Sequence, residues 1–152
     1  MKKVLVFVAL VVIVAVAFTG CKKDEAKPTY SGDFTINTKS YNVTPMMWFD
    51  ISVELGGTAA TSYSISGTDS KGENLLSISL SSKTVGEISI NSKNSVTLEI
   101  GDDSYTAKSG KITVTKFDAN IIEGKFDCKF VKNDTAAEIT GTGTFSSQKV
   151  SF

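Results

Sequence analysis

Apolar and polar residues alternate along most of this chain, and the alternation begins near Asp33. A period of two is typical of β-strands that bury one of their two faces. The longest clean example runs from Met47 to Leu55 and ends at the Gly56-Gly57 pair. Because the odd-numbered residues of this segment are the apolar ones, we expect them to face a core.

Shorter segments of the same kind follow along the chain, separated by turn residues at intervals of about 8 to 12 residues, which gives about ten strands. No window shows the apolar spacing of an amphipathic helix. The predicted strands cover residues 34–36, 41–43, 47–55, 63–65, 76–80, 88–90, 96–100, 112–114, 122–130 and 139–145, with short extended pieces at 105–108 and 150–152.

The fold class predicted from this pattern is all-β, with a single domain over residues 33–152. Short connections favour antiparallel neighbours, so we expect an antiparallel meander. A β-sandwich is our first interpretation because few apolar residues are available to fill a wide interior. A closed up-and-down, lipocalin-like β-barrel is the alternative, since both architectures bury alternate residues.

The N-terminus carries a different signal. Two lysines follow Met1, and an unbroken apolar run extends from Val4 to Phe18. That run is shorter than the roughly 20 residues that span a bilayer, and it fits the core of a signal peptide. The small pair Thr19-Gly20 before Cys21 resembles the lipobox of bacterial lipoproteins, although Phe18 stands where that family most often has leucine. The resemblance implies that residues 1–20 are a lipoprotein signal peptide and that Cys21 is lipidated.

The residues after Cys21 are charged and predict a flexible tether over residues 21–32. Within it, Lys22-Lys23-Asp24-Glu25 resembles the export signal of lipoproteins that Bacteroidetes display on the outer face of the outer membrane. That resemblance implies an outer-membrane, lipid-anchored and cell-surface location. A merely solvated tether, which leaves a periplasmic location open, is the alternative.

A second resemblance lies in the C-terminal half. The segments 105–118, 122–126 and 139–145 resemble a pattern found in small Bacteroidetes lipoproteins of unknown function. The resemblance implies a β fold and a place in the cell envelope, and it brings no catalytic residues. Similar proteins usually carry glycine where Thr38 stands in the first predicted hairpin.

Composition narrows the possible functions. The 16 basic residues, all lysine, balance the 16 acidic ones, and the chain has neither arginine nor histidine. Nucleic-acid binding is disfavoured because arginine is the main reader of phosphate and guanine. Histidine is the commonest acid–base group and metal ligand, so we predict no enzyme, no catalytic residue, no metal and no cofactor. Two acidic turns, Asp69–Glu73 and Gly101–Asp103, do not match a calcium-binding loop.

The second cysteine, Cys128, has no partner for a disulfide once Cys21 is lipidated. Phe126, Cys128 and Phe130 share one face of their predicted strand, and charged residues alternate with them. We therefore predict a buried thiol that acts as a small apolar group.

The candidate binding site is weak and rests on Trp48. If the odd-numbered residues of its strand face the core, Trp48 points outward with Met46 and Asp50, and an outward tryptophan can stack on a sugar or hold a partner. A cluster covered by a loop is the alternative. We expect a non-catalytic binding or structural module at the membrane, with a polysaccharide or an envelope protein as its partner. A carrier of small apolar ligands and a carboxylate-dependent envelope hydrolase are the alternatives.

Overall fold

The computed structural model describes residues 30–55 and 57–151. This part of the chain is all-β and contains no helix, which confirms the predicted fold class and the number of strands. The signal peptide of residues 1–20 and the lipidated Cys21 lie outside the described residues. The ten strands are β1 (Gly32–Ile36), β2 (Lys39–Val43), β3 (Met46–Leu55), β4 (Thr58–Thr68), β5 (Asn74–Leu80), β6 (Gly86–Ser89), β7 (Ser95–Ile100), β8 (Asp103–Phe117), β9 (Ile121–Lys132) and β10 (Glu138–Lys149).

The strands form one sheet in the order β2-β1-β10-β3-β4-β5-β7-β8-β6, and β9 pairs with both β8 and β10. Followed from strand to strand, these pairings form a closed circuit. The circuit runs through β3, β4, β5, β7, β8, β9, β10 and back to β3. Strand β6 pairs with β8 rather than with its chain neighbours, which departs from a simple meander. Almost every pairing is antiparallel, but the end of β10 runs parallel to β3, with Gln148 opposite Met47 and Lys149 opposite Trp48.

The folded part begins earlier than the predicted tether boundary. Met46 donates its backbone N–H to the carbonyl of Tyr30 at 2.9 Å, and Ser146 donates to the carbonyl of Ser31 at 2.9 Å. Tyr30 and Ser31 therefore belong to the sheet region rather than to a free tether.

Alternate residues of most strands build one apolar core, as the period of two predicts. Cys128 is buried beside Phe126 and Phe130, which confirms its predicted environment. The buried apolar residues are Phe34, Ile36, Val43, Met46, Trp48, Ile65, Leu76, Ile78, Leu80, Val96, Leu98, Ala107, Ile112, Val114, Ile122, Phe126, Cys128, Phe130 and Phe145.

Glycines in β9 and β10 make room for phenylalanine rings of the neighbouring strand. A Cβ atom at Gly143 would lie 2.6 Å from Cζ of Phe126, the residue directly opposite it. A Cβ atom at Gly124 would lie 2.6 Å from Cζ of Phe145, again its direct partner. Each phenylalanine ring packs on the backbone of the glycine opposite it. These two glycines are therefore required for close packing and not for the formation of a turn.

The predicted orientation of β3 is wrong. Met46 and Trp48 are 1% and 2% exposed, whereas Ile51 and Val53 are 45% and 46% exposed. The first part of β3 lies between β10 and β4, and burying the large indole there removes more apolar surface from water than a smaller side chain would. The second part of β3 extends past the pairing with β10, so the apolar residues on that part do not meet a core. The pattern identified the strand but not the face that is buried.

Candidate functional site

The structure brings the three predicted site residues to one region and gives them structural roles. Met46, Trp48 and Asp50 share a face of β3, as their spacing requires. The indole Nε1 of Trp48 donates a hydrogen bond to the backbone carbonyl of Asn120 at 3.1 Å. Its ring contacts Phe117 edge-on, with a centroid separation of 5.6 Å. With 2% of its surface exposed, Trp48 offers no face on which a sugar could stack.

Asp50 follows Trp48 on the same face of β3, at the point where this face becomes exposed to solvent. Its carboxylate forms an ion pair with Lys149 at 2.7 Å, and both side chains are partly exposed. The hydrogen bond from Lys149 lowers the pKa of Asp50. The Lys149 Nζ also lies 5.0 Å from the centroid of the Trp48 ring, in a cation–π arrangement. Asp50 and Lys149 thus cover the indole and form a side-chain contact between β3 and β10.

A large concave feature of the described residues lies elsewhere. It is a cleft of about 1190 Å³ between β2, the turn from β4 to β5 and the turn from β7 to β8. We call it the acidic cleft. Its lining residues are Ser40, Tyr41, Asn42, Thr44, Asp69, Ser70, Lys71, Glu73, Asn74, Leu75, Glu99, Ile100, Gly101 and Asp102.

The wall formed by the β4–β5 turn is held by one aspartate. Asp69 Oδ1 accepts hydrogen bonds from the backbone N–H groups of Lys71 at 2.8 Å and Glu73 at 3.0 Å. The Asp69 N–H donates to the carbonyl of Glu73 at 2.9 Å, and Gly72 takes a φ of 87° that favours glycine. Because Asp69 uses one carboxylate oxygen to order this turn, the side chains of Lys71 and Glu73 have a fixed base.

The opposite walls differ in character. Glu99 accepts a hydrogen bond from the hydroxyl of Ser104 at 2.9 Å, which orients its carboxylate. Tyr41 of β2 stacks on Phe34 at a centroid distance of 4.9 Å and anchors its wall to the core. The Gly101-Asp102 turn closes the cleft between β7 and β8, with a φ of 62° at Gly101.

Charge distinguishes the acidic cleft from the rest of this neutral chain. Its lining has four carboxylates against the single ammonium of Lys71. Serine, threonine and asparagine side chains between them add hydrogen-bond donors and acceptors. Within residues 30–55 and 57–151, no three histidine, cysteine, aspartate or glutamate side chains are grouped as metal ligands. The cleft is therefore equipped to bind polar or cationic groups.

The sequence predicts the two acidic turns that line this cleft, but it does not predict that they meet. Both acidic turns were recognised as turns from their aspartate and glycine content. They lie about thirty residues apart in the chain, and only the pairing of β5 with β7 brings them to one end of the sheet. No local pattern in the sequence indicates that β2 forms the third wall of the cleft.

The sequence matches no family model, and no curated protein matches it. In the part of the chain that the structure describes, no helix is long and apolar enough to cross a membrane.

Proposed function

We propose that this chain is a bacterial outer-membrane lipoprotein, held in the membrane through Cys21, whose β domain binds a glycan in the acidic cleft without catalysing a reaction. The observation that carries the binding part is the lining of that cleft. Tyr41, Leu75 and Ile100 add apolar surface to this lining, and ten of its other residues carry hydroxyl, amide, carboxylate or ammonium groups. Such groups form directional hydrogen bonds, which a polyhydroxylated ligand can satisfy in large number.

The alternative of an apolar-ligand carrier has less support. Carriers of that kind hold their ligand in an apolar interior. Here the aromatic side chains of Phe34, Trp48, Phe126 and Phe130 are packed into the core. The acidic cleft lies at the surface and is lined by charged side chains, which favours a soluble polar ligand.

The charge of the cleft also suggests which glycans bind best. Four carboxylates and one ammonium group, that of Lys71, line the cleft. A glycan with free amino groups forms charge-assisted hydrogen bonds with carboxylates, and these are stronger than neutral ones. We therefore expect chitosan oligosaccharides to bind more tightly than neutral dextran oligosaccharides.

The first test is a titration of the purified protein with these two glycans by calorimetry. The variant Glu73→Gln/Asp102→Asn keeps the shape of the cleft and removes two charges. Losing one charge-assisted hydrogen bond costs about 1.5 to 3 kcal/mol, so we expect chitosan affinity to fall at least tenfold. The matched control is Asp134→Asn, an exposed carboxylate outside the cleft.

Three outcomes of this titration bear on the proposal. An unchanged affinity in the cleft variant, or an equal loss in the Asp134→Asn control, would place binding elsewhere and overturn the proposed site. Absence of binding to both glycans would remove the glycan function. Release of reducing sugar that the cleft variant abolishes would reassign the protein as a carboxylate-dependent hydrolase.

The membrane part of the proposal rests on the lipobox resemblance around Cys21. Two or three acyl chains on one cysteine hold a protein durably, because each buried methylene contributes about 0.8 kcal/mol. We expect radiolabelled palmitate to enter the wild-type chain and a Cys128→Ala variant, and to be absent from Cys21→Ala. Labelling that survives in Cys21→Ala, or is absent from the wild type, would refute the anchor.

A further inference from the structure

The β3–β4 hairpin extends beyond the core and exposes apolar side chains. Ile51 and Val53 are 45% and 46% exposed, and Ala60 lies directly opposite Val53 on β4. The three side chains share the outer face of the hairpin because residues directly opposite each other in an antiparallel pair point the same way. This gives an apolar stripe on the outer face of the hairpin.

Among residues 30–55 and 57–151, the second half of β3 pairs with another strand on one side only. Met46 donates its N–H to Tyr30, and Trp48 accepts from the N–H of Val150, so even-numbered residues of β3 direct their backbone groups away from β4. Among the described residues, the pairing of β3 with β10 ends at Trp48. By alternation, Ser52 and Glu54 direct their N–H and C=O groups toward the side of β3 on which no other described strand pairs with them.

This segment carries few of the features that protect an edge. Natural edge strands are blunted by charged side chains, above all lysine, by proline or by a bulge, and of these the segment has only the charges of Asp50 and Glu54. Residues 50–55 contain neither lysine nor proline, and β3 pairs with β4 without a register shift. A straight, open edge that also carries an apolar stripe is suited to accept a further strand.

We propose that a second copy of this chain pairs its β3 edge with this one, antiparallel and related by a two-fold axis at Val53. This inference goes beyond the proposed glycan function and does not depend on it. A two-fold contact is closed, so it stops at a dimer. In this register the N–H and C=O groups of Ser52 meet those of Glu54 in the other copy, and the apolar stripes of both copies join on one face.

Charge and space select this register over its neighbours. A two-fold axis at Ser52 would place Asp50 opposite Glu54, and like charges directly opposite each other are destabilising. An axis at Ile51 would place Glu54 of the second copy opposite Trp48, where Lys149 of β10 already lies. An axis at Val53 places each Glu54 opposite a serine and leaves the β10 pairing intact.

The sharpest test is disulfide trapping in membranes of cells that express the full chain. The two Val53 residues would form a non-hydrogen-bonded pair with Cα atoms about 4.5 Å apart, which is within disulfide range. We expect mild oxidation to cross-link Val53→Cys into a dimer, whereas Ile51→Cys and Ser52→Cys stay monomeric. The wild-type chain controls for its own cysteines. Cross-linking through residue 51 or 52, or none at residue 53, would overturn the proposal.

A second variant tests the association without a cysteine. Val53→Lys places two ammonium groups at the two-fold axis, and it leaves the buried core unchanged because Val53 is 46% exposed. The matched control is Val85→Lys, whose side chain is 58% exposed and lies outside the β3–β4 hairpin. By analytical ultracentrifugation we expect the wild type and Val85→Lys to be dimeric and Val53→Lys monomeric. A monomeric wild type, or a dimeric Val53→Lys, would contradict the inferred interface.

Discussion

Cys128 shows how a single buried residue links packing to solution behaviour. Its side chain lies in the core between β8 and β10, and its Sγ donates a weak hydrogen bond to the carbonyl of Lys111 at 3.8 Å. Burial, reinforced by the nearby Asp127 charge, raises the pKa of the thiol from 9.0 to about 11. The thiolate is the reactive form of cysteine, so this residue is poorly suited to nucleophilic chemistry at neutral pH.

The raised pKa predicts a loss of stability in alkali. A thiol whose pKa is higher in the folded state contributes fully below its unfolded pKa, and the contribution disappears as pH rises through the folded value. Between pH 9 and pH 11 we expect the free energy of unfolding of the wild type to fall by about 2 kcal/mol more than that of Cys128→Ala. Urea unfolding at several pH values measures both. Parallel pH profiles for the two proteins would contradict this assignment.

At the scale of elements, the pattern of the sequence identified strands well and their faces less well. Strand β9 was oriented correctly because charged residues alternate with Phe126, Cys128 and Phe130, and only one face can be buried without burying charge. Strand β3 offers no such contrast. Each of its faces begins with large apolar residues, and the choice depends on where β10 ends, which is a property of a pairing about one hundred residues distant.

The first hairpin is an intermediate case. Its strands and turn were predicted from alternation around Asn37 and Thr38, and the structure confirms antiparallel pairing of β1 with β2. Both turn residues have positive φ, 48° and 67°, as a two-residue type I′ turn requires. Thr38 is β-branched and is poorly suited to a positive φ. The conformational preference of threonine therefore did not predict this turn geometry, which the pairing of β1 with β2 imposes.

The acidic cleft shows the same limit for function. Its aspartates were visible in the sequence as turn residues, and Asp69 does order a turn through its carboxylate. What could not be predicted is that two turns and β2 meet, because each contact joins parts of the chain that are brought together by the order of strands in the sheet. A binding site of this kind depends on topology, whereas a catalytic motif would have depended on local spacing.

At the scale of the whole molecule, the closed set of strand pairings has one short junction. Strands β10 and β9 are paired over eleven positions, whereas β10 and β3 are paired over two. Three further contacts support that junction: the Trp48 bond to Asn120, the Val150 bond to Trp48 and the ion pair between Lys149 and Asp50. Exposed ion pairs contribute about 0 to 1 kcal/mol, so the buried indole is the main support.

This junction is therefore the place where the ring of strands should open before global unfolding. Amide groups in short, peripheral pairings exchange through local openings that cost less than complete unfolding. We expect the Val150 amide to exchange at least tenfold faster than the amides of β9 between Lys125 and Lys129, which are paired on both sides. Hydrogen exchange followed by NMR measures both sets.

The variant Trp48→Phe separates local opening at this junction from global stability. It removes the hydrogen bond to Asn120 while keeping an aromatic ring, and one hydrogen bond is worth about 1 kcal/mol. Exchange at Val150 should then become about fivefold faster relative to the β9 amides. If Val150 and β9 instead exchange at one common rate in both proteins, the junction opens only when the whole sheet unfolds, and the short parallel pairing is as stable as the rest of the sheet.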